Sequence, residues 1–478
     1  MTILTGKELF NSFISSFGSS PRAAITDGII GEGRAIETPD GTRPLVYADY
    51  VASGRALRQI EDFMIENVLP YYANTHTDGS FCGAYSTRLR TAARELISDE
   101  CGADRQKYAT IFCGSGATAG LNRLVDLLGV RAAVADGLAP LVVIGPYEHH
   151  SNILPWRESG SEVVEIAEAD GGGVDLNDLR RVLSDAGERL IVGSFSAASN
   201  VTGVLSDVVA VTRILKEHGA LSVWDYAGGG PYLPIDMQPA PGLFIDAIAV
   251  SPHKFIGGPG ASGVLIVRRD AVRSDRPVLP GGGTVVFVSP WGQDYNTNLE
   301  EREEAGTPNV LGDIRAGLVF AVKKLVDPDF MAKRHTELMS RVRTAWADIP
   351  GLTVLGHTGA DGRLPFLSIR IEDITGNERL HHQDVTRLLS SKFGIQARGG
   401  CACAGPYGHR LLKVDAVQSE SIRSEILDGK DIRKPGWTRL NLSPLMSDEK
   451  VDYILQSVRE IALSPDQFTT SSVDGCAA

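Results

Sequence analysis

Lys254 lies in a segment whose residues could allow its amine to form a covalent bond with a ligand. Residues 247–250 are apolar and predict a short buried strand, and the tetrapeptide Ser251-Pro252-His253-Lys254 follows at once. A glycine-rich run over 257–263 comes next, so the lysine is expected in a cramped pocket. Removing water favours the uncharged amine, which can form an imine with an aldehyde cofactor. The alternative is a surface lysine at the end of a strand, and the tetrapeptide alone does not decide between the two.

Seven apolar runs predict the sheet that would position this lysine. They cover residues 108–111, 141–144, 163–166, 190–195, 221–224, 247–250 and 264–267. Continuous apolar strands that alternate with helical segments are typical of a mostly parallel sheet covered on both faces. Ligands of such open α/β sheets bind beyond the carboxyl ends of the strands. The residues that follow each run are therefore the candidates for a site.

The turn after the first run has the composition of an anion site. Cys113-Gly114-Ser115-Gly116 leads into Ala117 and Thr118, which open a helix. Free backbone N–H groups and the positive end of the helix dipole attract an anion such as phosphate. The alternative is an ordinary glycine turn in which Ser115 caps the helix.

Polar side chains also follow three other runs. Asn200 lies in a turn, and Asp225 ends an apolar strand, where a buried carboxylate needs a cation such as a protonated pyridine nitrogen. The pair His149-His150 does not predict zinc, because no third ligand stands nearby and adjacent side chains of an extended segment point apart. We expect the imidazole to stack on a flat ring or to carry protons. Pyridoxal 5′-phosphate (PLP) accounts for the lysine, the aspartate, the histidine and the anion turn together.

The composition predicts a globular protein with a small-molecule ligand. The chain has 478 residues, of which 43% are hydrophobic and 22% are charged. Its net charge of -12 comes without a basic stripe, which argues against nucleic acid or an anionic membrane as the main partner. Six cysteines in so long a chain do not indicate a disulfide framework, and no segment has the pattern of a signal peptide or a membrane span. We therefore expect a cytoplasmic protein.

A change of pattern around residues 327–329, preceded by a linking helix over 312–326, predicts the domain organisation. We expect an N-terminal arm over 1–44 that joins the small domain, a large cofactor-binding domain over 45–311, and a linking helix with a small α+β domain over 312–478. The last part contains the loop Arg398-Gly399-Gly400-Cys401-Ala402-Cys403, in which a thiol can reach a substrate. The two cysteines have two other interpretations, a structural pair or half a metal site. We expect no metal, because no second cysteine pair exists to complete a zinc site.

The ordered motifs resemble those of the class V aminotransferase fold, in the cysteine desulfurase and selenocysteine lyase group. The resemblance runs from about residue 45 to 460 and rests on Asp225, Lys254 and the segments 148–156, 304–309 and 398–404. It implies a fold type I PLP-dependent transferase of the α/β class, with a mostly parallel seven-stranded sheet and a smaller α+β C-terminal domain. It also implies a homodimer with a shared active site.

The same resemblance assigns roles to individual residues. Lys254 would hold the cofactor, Cys403 would be the nucleophile that forms a persulfide, and His149 would stack on the cofactor ring. Asn200, Arg398 and Arg439 would bind the substrate. The residues that match cofactor ligands are Ala117, Thr118, His149, Asn200, Asp225, Ser251, His253, Lys254 and Thr284. Of these, Thr284 would be lent across the dimer interface.

Three departures from the family pattern leave the substrate open. Gly228 replaces a glutamine that usually contacts the cofactor, and an unusually long segment over 407–436 precedes Arg439. Cys401 is a second thiol that could receive a persulfide or form a disulfide with Cys403. The implied reaction converts L-cysteine to L-alanine through the Cys403 persulfide, with a sulfur-acceptor protein as a further partner.

Two other functions are compatible with the same motifs. One is another class V reaction on a specialised amino acid: transamination, C–S lysis, racemisation or β-decarboxylation. The other is a scaffold or sulfur-carrier partner without enzymatic activity, against which Lys254, Asp225 and His149 argue.

Overall fold

The computed structural model describes residues 5–75, 79–356, 362–373, 376–429 and 434–466. The chain forms two compact units. The first comprises residues 1–30, 52–198 and 206–329, and the second comprises residues 31–51, 199–205 and 330–478. Each unit is thus assembled from three separate stretches of sequence.

A seven-stranded sheet forms the centre of the first unit. Its spatial order is Tyr108–Cys113, Gly263–Arg268, Ala247–Val250, Leu221–Asp225, Ile191–Ser196, Leu141–Ile144 and Glu162–Glu165. Only Gly263–Arg268 runs antiparallel to its neighbours, and the remaining pairs are parallel. All residues of Tyr108–Cys113 and Ile191–Ser196 are buried, which explains why both strands consist of apolar or small uncharged residues. The predicted mostly parallel seven-stranded sheet is confirmed.

Helices surround this sheet. Those of the first unit are Gly6–Ser15, Pro21–Gly28, Arg58–Phe63, Phe81–Glu100, Gly116–Leu127, Val130–Ala135, Leu154–Glu158, Leu176–Ser184, Val208–Glu217, Leu299–Glu303 and Val310–Val326. Arg58–Phe63 continues as a π-helical turn, Met64–Val68, and a 3₁₀ turn, Leu69–Tyr71. Among the described residues, no helix is both long enough and apolar enough to cross a membrane.

The second unit is built on a five-stranded antiparallel sheet. Leu352–Val354, Phe366–Glu372, Trp437–Asn441 and Arg398–Gly400 lie in that order, and Glu378–Leu380 pairs with Phe366–Glu372. Two smaller sheets consist of the hairpin Ala35–Thr38 and Gly41–Pro44, and of Val46–Tyr47 paired in parallel with Ile395–Gln396. The helices are Pro328–Trp346, His382–Phe393, Gly405–Leu411, Ala416–Leu427 and Asp448–Leu463.

This division differs from the predicted domain boundaries. Residues 1–30 group with the first unit, and so does the helix Val310–Val326, which was expected to begin the small domain. The helix packs against Phe81–Glu100, and a Cβ on Gly317 would lie 2.7 Å from Cα of Ala93. So close an approach fixes the helix to the first unit, because any larger side chain at Gly317 would separate the two backbones.

Two local features were not predicted from the sequence. The segment 395–400 is divided between two sheets, because Ile395–Gln396 pairs with Val46–Tyr47 while Arg398–Gly400 pairs with Trp437–Asn441. A hairpin of Val285–Ser289 and Gly292–Tyr295 was not anticipated. Its side chains include apolar residues that are strongly exposed, among them Trp291 at 93%.

The carboxylate of Glu304 joins three elements of the first unit. It accepts hydrogen bonds from both terminal nitrogens of Arg94, at 2.8 and 2.9 Å, and from the backbone N–H of Phe112 at 2.7 Å. Arg90 donates to the same carboxylate and to Asp313. Burial would raise the pKa of Glu304, but the charge and hydrogen bonds of Arg94 outweigh burial, and the pKa is lowered. The carboxylate is therefore ionised where it holds the end of the strand Tyr108–Cys113.

Replacing Glu304 with alanine is expected to destabilise the protein by about 3–5 kcal/mol, because the largely buried Arg94 would lose its counter-ion and Arg90 would keep only Asp313. Urea denaturation measures the free energy of unfolding. Glu420→Ala is the control, since Glu420 pairs with Arg423 on an exposed helix face, and it should change stability by less than about 1 kcal/mol. Equal effects of the two substitutions would contradict the role given to Glu304.

Candidate active site

The anion turn brings Ala117 into contact with residues far along the chain. Gly116 has a φ of 61°, and a Cβ there would lie 2.6 Å from Oγ of Ser251 and 2.7 Å from Cε1 of His253. The backbone N–H of Ala117 donates to Oγ of Ser251 at 2.9 Å. Glycine is thus required both by the left-handed backbone and by the space. The structure brings three of the predicted cofactor ligands, Ala117, Ser251 and His253, together at the start of the helix Gly116–Leu127.

Thr118 and His149 are linked through Ser151. The hydroxyls of Thr118 and Ser151 are 2.7 Å apart, and Nδ1 of His149 accepts the backbone N–H of Ser151 at 3.1 Å. This second bond caps the 3₁₀ turn His150–Asn152 and fixes the orientation of the imidazole. Burial lowers the pKa of His150, and the charge of Arg157 lowers it further. The sequence prediction did not include Ser151, although it lies in the same motif.

Asp225 and Lys254 interact within the first unit. Asp225 is 4% exposed and accepts the N–H of Ala227 at 2.7 Å. Burial raises the pKa of Asp225, whereas the Ala227 hydrogen bond and the charge of Lys254 act against this rise. A buried carboxylate that is stabilised by a cation fits the protonated ring nitrogen of PLP, and the glycine-lined turn fits its phosphate.

His253 is held uncharged beside Lys254. Burial lowers the pKa of His253 to about 4, and the positive charge of Lys254 contributes to the shift. At neutral pH the imidazole can therefore donate one hydrogen bond and accept another without adding positive charge next to the lysine.

Glu148 anchors the loop that carries His149. Its carboxylate accepts the N–H of Ser196 at 2.8 Å, the hydroxyl of Ser196 at 2.5 Å and the side-chain amide of Asn152 at 2.6 Å. Burial raises the pKa of Glu148 to about 7 despite these hydrogen bonds. Sequence reasoning assigned it no role. Its place directly before the histidine, after a buried strand, was the available signal.

In the second unit, Asp49 connects the two predicted substrate-binding arginines. Its carboxylate lies 3.0 Å from Nε of Arg398 and 3.3 Å from Nη2 of Arg439. Arg439 also donates to the backbone carbonyl of Asn200 at 3.0 Å. Sequence reasoning missed Asp49, although it follows the strand Val46–Tyr47 much as Asp225 ends its own strand.

Asn200 reaches the cysteine loop. Its Nδ2 donates to the carbonyl of Ala402 at 2.8 Å, while its buried Oδ1 has no hydrogen-bond partner among the described residues. Cys403 is exposed in that loop and has a φ of 56°, a left-handed conformation that costs a non-glycine residue about 1–2 kcal/mol. The structure thus joins the predicted residues Asn200, Arg398 and Arg439 to the loop of Cys403 through side-chain contacts.

Thr284 makes its side-chain hydrogen bonds within its own loop and not with the other predicted site residues. It is buried at the base of the exposed hairpin, and both hydrogen bonds of its hydroxyl are made with Gly281. Its role in a neighbouring subunit stays a prediction.

One group of possible metal ligands occurs in the described part of the chain. Side-chain atoms of Glu378, His381 and His382 lie within 4.8 Å of one another. Nδ1 of His381 accepts the N–H of Gln383 at 3.4 Å and so caps the helix His382–Phe393. Burial would raise the pKa of Glu378, but its interactions with the two histidines lower it. Nδ1 of His382 lies 3.8 Å from the carboxylate of Glu378.

The fold and the site together define a class of protein. A mostly parallel sheet whose strand ends assemble a glycine-lined anion turn, a histidine, a buried aspartate and a lysine is the arrangement of fold type I PLP-dependent enzymes. The sequence pattern of the family described as aminotransferase class V matches residues 46–452. The chain belongs to this family of enzymes.

Individual relatives are consistent with this assignment. A Streptomyces coelicolor protein named probable cysteine desulfurase is 29% identical over 367 residues, which cover 76% of this chain and 84% of the relative. A Pyrococcus abyssi protein of the same name is 29% identical over 376 residues, covering 77% and 88%. The apo structure of a cysteine desulfurase from Thermococcus onnurineus has a TM-score of 0.71 at 24% identity, covering 87% of this chain and 94% of that one. The last similarity establishes the shared fold.

The pH dependence of stability should report the buried state of Glu148. Its pKa is 4.5 in the reference state and about 7 in the folded chain, so the folded state binds more protons between these values. This contribution to stability is present below pH 4.5 and is lost as the pH rises to about 7, a change of about 3 kcal/mol. Urea denaturation at a series of pH values should show that the free energy of unfolding falls less steeply between pH 4.5 and 7 for Glu148→Gln than for wild type.

A surface control accompanies this measurement. Glu66 lies on the exposed side of the turn Met64–Val68, and Glu66→Gln should follow the wild-type profile. Identical profiles for wild type and Glu148→Gln would contradict the assignment.

Proposed function

We propose that the protein is a PLP-dependent cysteine desulfurase, which converts L-cysteine to L-alanine and retains the sulfur on Cys403. The observation that carries this proposal is the exposed thiol of Cys403 in a loop that Asn200 holds at Ala402. A nucleophilic thiol of this kind can take the sulfur of cysteine as a persulfide, whereas transamination or racemisation has no use for one. The names of the relatives support the same reaction.

Residues of the first unit would hold the cofactor. Bound PLP would supply an electron sink for the bonds at the substrate's α carbon. The N–H of Ala117 and the side chains of Thr118, Ser251 and His253 would bind its phosphate. Asp225 would keep the ring nitrogen protonated, and His149, oriented by Ser151, would cover one face of the ring.

Lys254 would have two tasks. Its amine holds the cofactor aldehyde in the resting enzyme, and it then moves the proton at the substrate's α carbon. The uncharged His253 beside it adds no positive charge to the pocket, so the lysine can release and recover a proton without an extra electrostatic penalty.

Residues of the second unit would bind the substrate and take its sulfur. The guanidinium of Arg439 is suited to a carboxylate, and its bonds to Asp49 and to the carbonyl of Asn200 fix its orientation. Oδ1 of Asn200, which has no hydrogen-bond partner within the described ranges, offers an acceptor to a bound ligand. The thiolate of Cys403 attacks the substrate sulfur, so that the C–S bond breaks and alanine leaves.

Cys403→Ala should abolish alanine formation from cysteine, because no thiol would accept the sulfur. The cofactor should remain bound, with an unchanged visible absorption spectrum. Cysteine sulfinate should still react, since its leaving group departs without a nucleophile. Alanine assays with both substrates measure this, and wild-type turnover of cysteine by the variant would exclude the nucleophilic role. Lys254→Ala is the companion variant, and it should lose turnover of both substrates together with the visible absorption of the covalently held cofactor.

We also propose that two copies of the chain associate through the hairpin of Val285–Ser289 and Gly292–Tyr295. Val286, Phe287, Val288 and Trp291 are each more than half exposed, an apolar cluster that is costly to leave in water. Thr284 precedes the first strand of this hairpin, which agrees with its expected place at a subunit interface.

The double substitution Phe287→Glu and Trp291→Glu should convert the dimer into a monomer, because it would bring charge into an apolar contact. Sedimentation velocity at micromolar concentration measures the change. Val417→Glu is the matched control, because Val417 is 80% exposed on the helix Ala416–Leu427 and should not affect association. Dimers that persist in the double variant would place the interface elsewhere.

A further inference from the structure

The two cysteines of the second unit lie in one tight turn. The N–H of Ala404 donates to the carbonyl of Cys401 at 3.1 Å, which closes a four-residue turn. Its two central residues, Ala402 and Cys403, have φ values of 51° and 56°. Positive φ at both central positions is the signature of a type I′ turn, which glycine and asparagine normally form. Cys401 and Cys403 are therefore the first and third residues of this turn.

This conformation is unusual for the residues that adopt it. Among the described residues, four that are not glycine have positive φ, and two of the four are the neighbours Ala402 and Cys403. Strain of this kind persists only where other contacts maintain it, and it concentrates at functional sites. The contact here is the hydrogen bond from Nδ2 of Asn200 to the carbonyl of Ala402.

The turn keeps the two thiols within reach of each other. Across one intervening residue of a tight turn, two Cα atoms lie about 5–6 Å apart, within the range that a disulfide spans. Both cysteines are exposed and both are free thiols. A helix or an extended strand would not provide this arrangement, because residues two apart point in different directions on a helix and lie farther apart along a strand.

We propose that Cys401 is a second catalytic thiol, which resolves the persulfide on Cys403 and releases the sulfur as free sulfide. The inference rests on the proposed desulfurase function and extends it. According to this inference, the sulfur leaves the enzyme as dissolved sulfide, and no acceptor protein has to take it directly from Cys403.

The step balances without an outside oxidant. The thiol of Cys401 attacks Sγ of the persulfidated Cys403, and a Cys401–Cys403 disulfide forms while the bond to the outer sulfur breaks. The outer sulfur gains two electrons and leaves as hydrosulfide with the proton given up by Cys401. A dithiol reductant must then reduce the disulfide before the next turnover, by thiol–disulfide exchange.

The test is a single turnover of the holoenzyme. The PLP-loaded chain is reduced, freed of reductant and mixed with one equivalent of cysteine without oxygen, after which alanine, sulfide and the mass of the loop peptide are measured. In wild type we expect sulfide and alanine in equal amounts, with a loop peptide lighter by two hydrogen atoms. In Cys401→Ser we expect the ratio of sulfide to alanine to fall close to zero, with a peptide heavier by one sulfur atom.

Matched controls separate the inference from the function on which it rests. Cys82→Ser removes another free thiol and should keep the wild-type ratio. Wild type that forms alanine but retains the persulfide would overturn the role of Cys401 alone, as would a Cys401→Ser variant that releases wild-type amounts of sulfide. Wild type that forms no alanine would overturn the desulfurase function and this inference together.

Discussion

The first unit depends on one buried carboxylate at the end of its edge strand. Glu304 accepts the N–H of Phe112 and neutralises Arg94, so it fixes the last residues of Tyr108–Cys113 before the chain turns into the anion site. Since an unpaired charge in this position would be costly, the arginines and the carboxylate must be ordered together. The anion turn begins directly after Phe112, so its position follows from that of the strand.

Buried carboxylates also determine the arrangement around Lys254 and His149. Asp225 and Glu148 are both buried acids, but their surroundings differ. Asp225 interacts with the cation of Lys254, whereas Glu148 is surrounded by the neutral donors of Ser196 and Asn152. The first is suited to a cationic ring nitrogen, and the second to holding the loop of His149 in place.

A buried acid also orients charged groups in the second unit. Asp49 pairs with both Arg398 and Arg439, so its negative charge offsets the repulsion between the two cations. Asn200 adds the link to the carbonyl of Ala402, and the strained turn of Cys401 and Cys403 is maintained from the same cluster. The loop of Cys403, the proposed nucleophile, and the guanidinium of Arg439, the proposed substrate-binding group, are thus oriented by one set of hydrogen bonds.

Local patterns alone predicted the seven strands, the parallel arrangement and the candidates Lys254, Asp225 and His149, because strand burial and strand-end chemistry are written in consecutive residues. Contacts between distant segments could not be predicted this way. The roles of Asp49, Ser151 and Glu304, and the place of Val310–Val326 in the first unit, depend on partners up to several hundred residues away. The left-handed turn at Ala402 could not be predicted either, because tertiary hydrogen bonds override the local preference of an alanine for negative φ. Sequence therefore determined which residues could do chemistry, and only the tertiary structure decided which partners orient them.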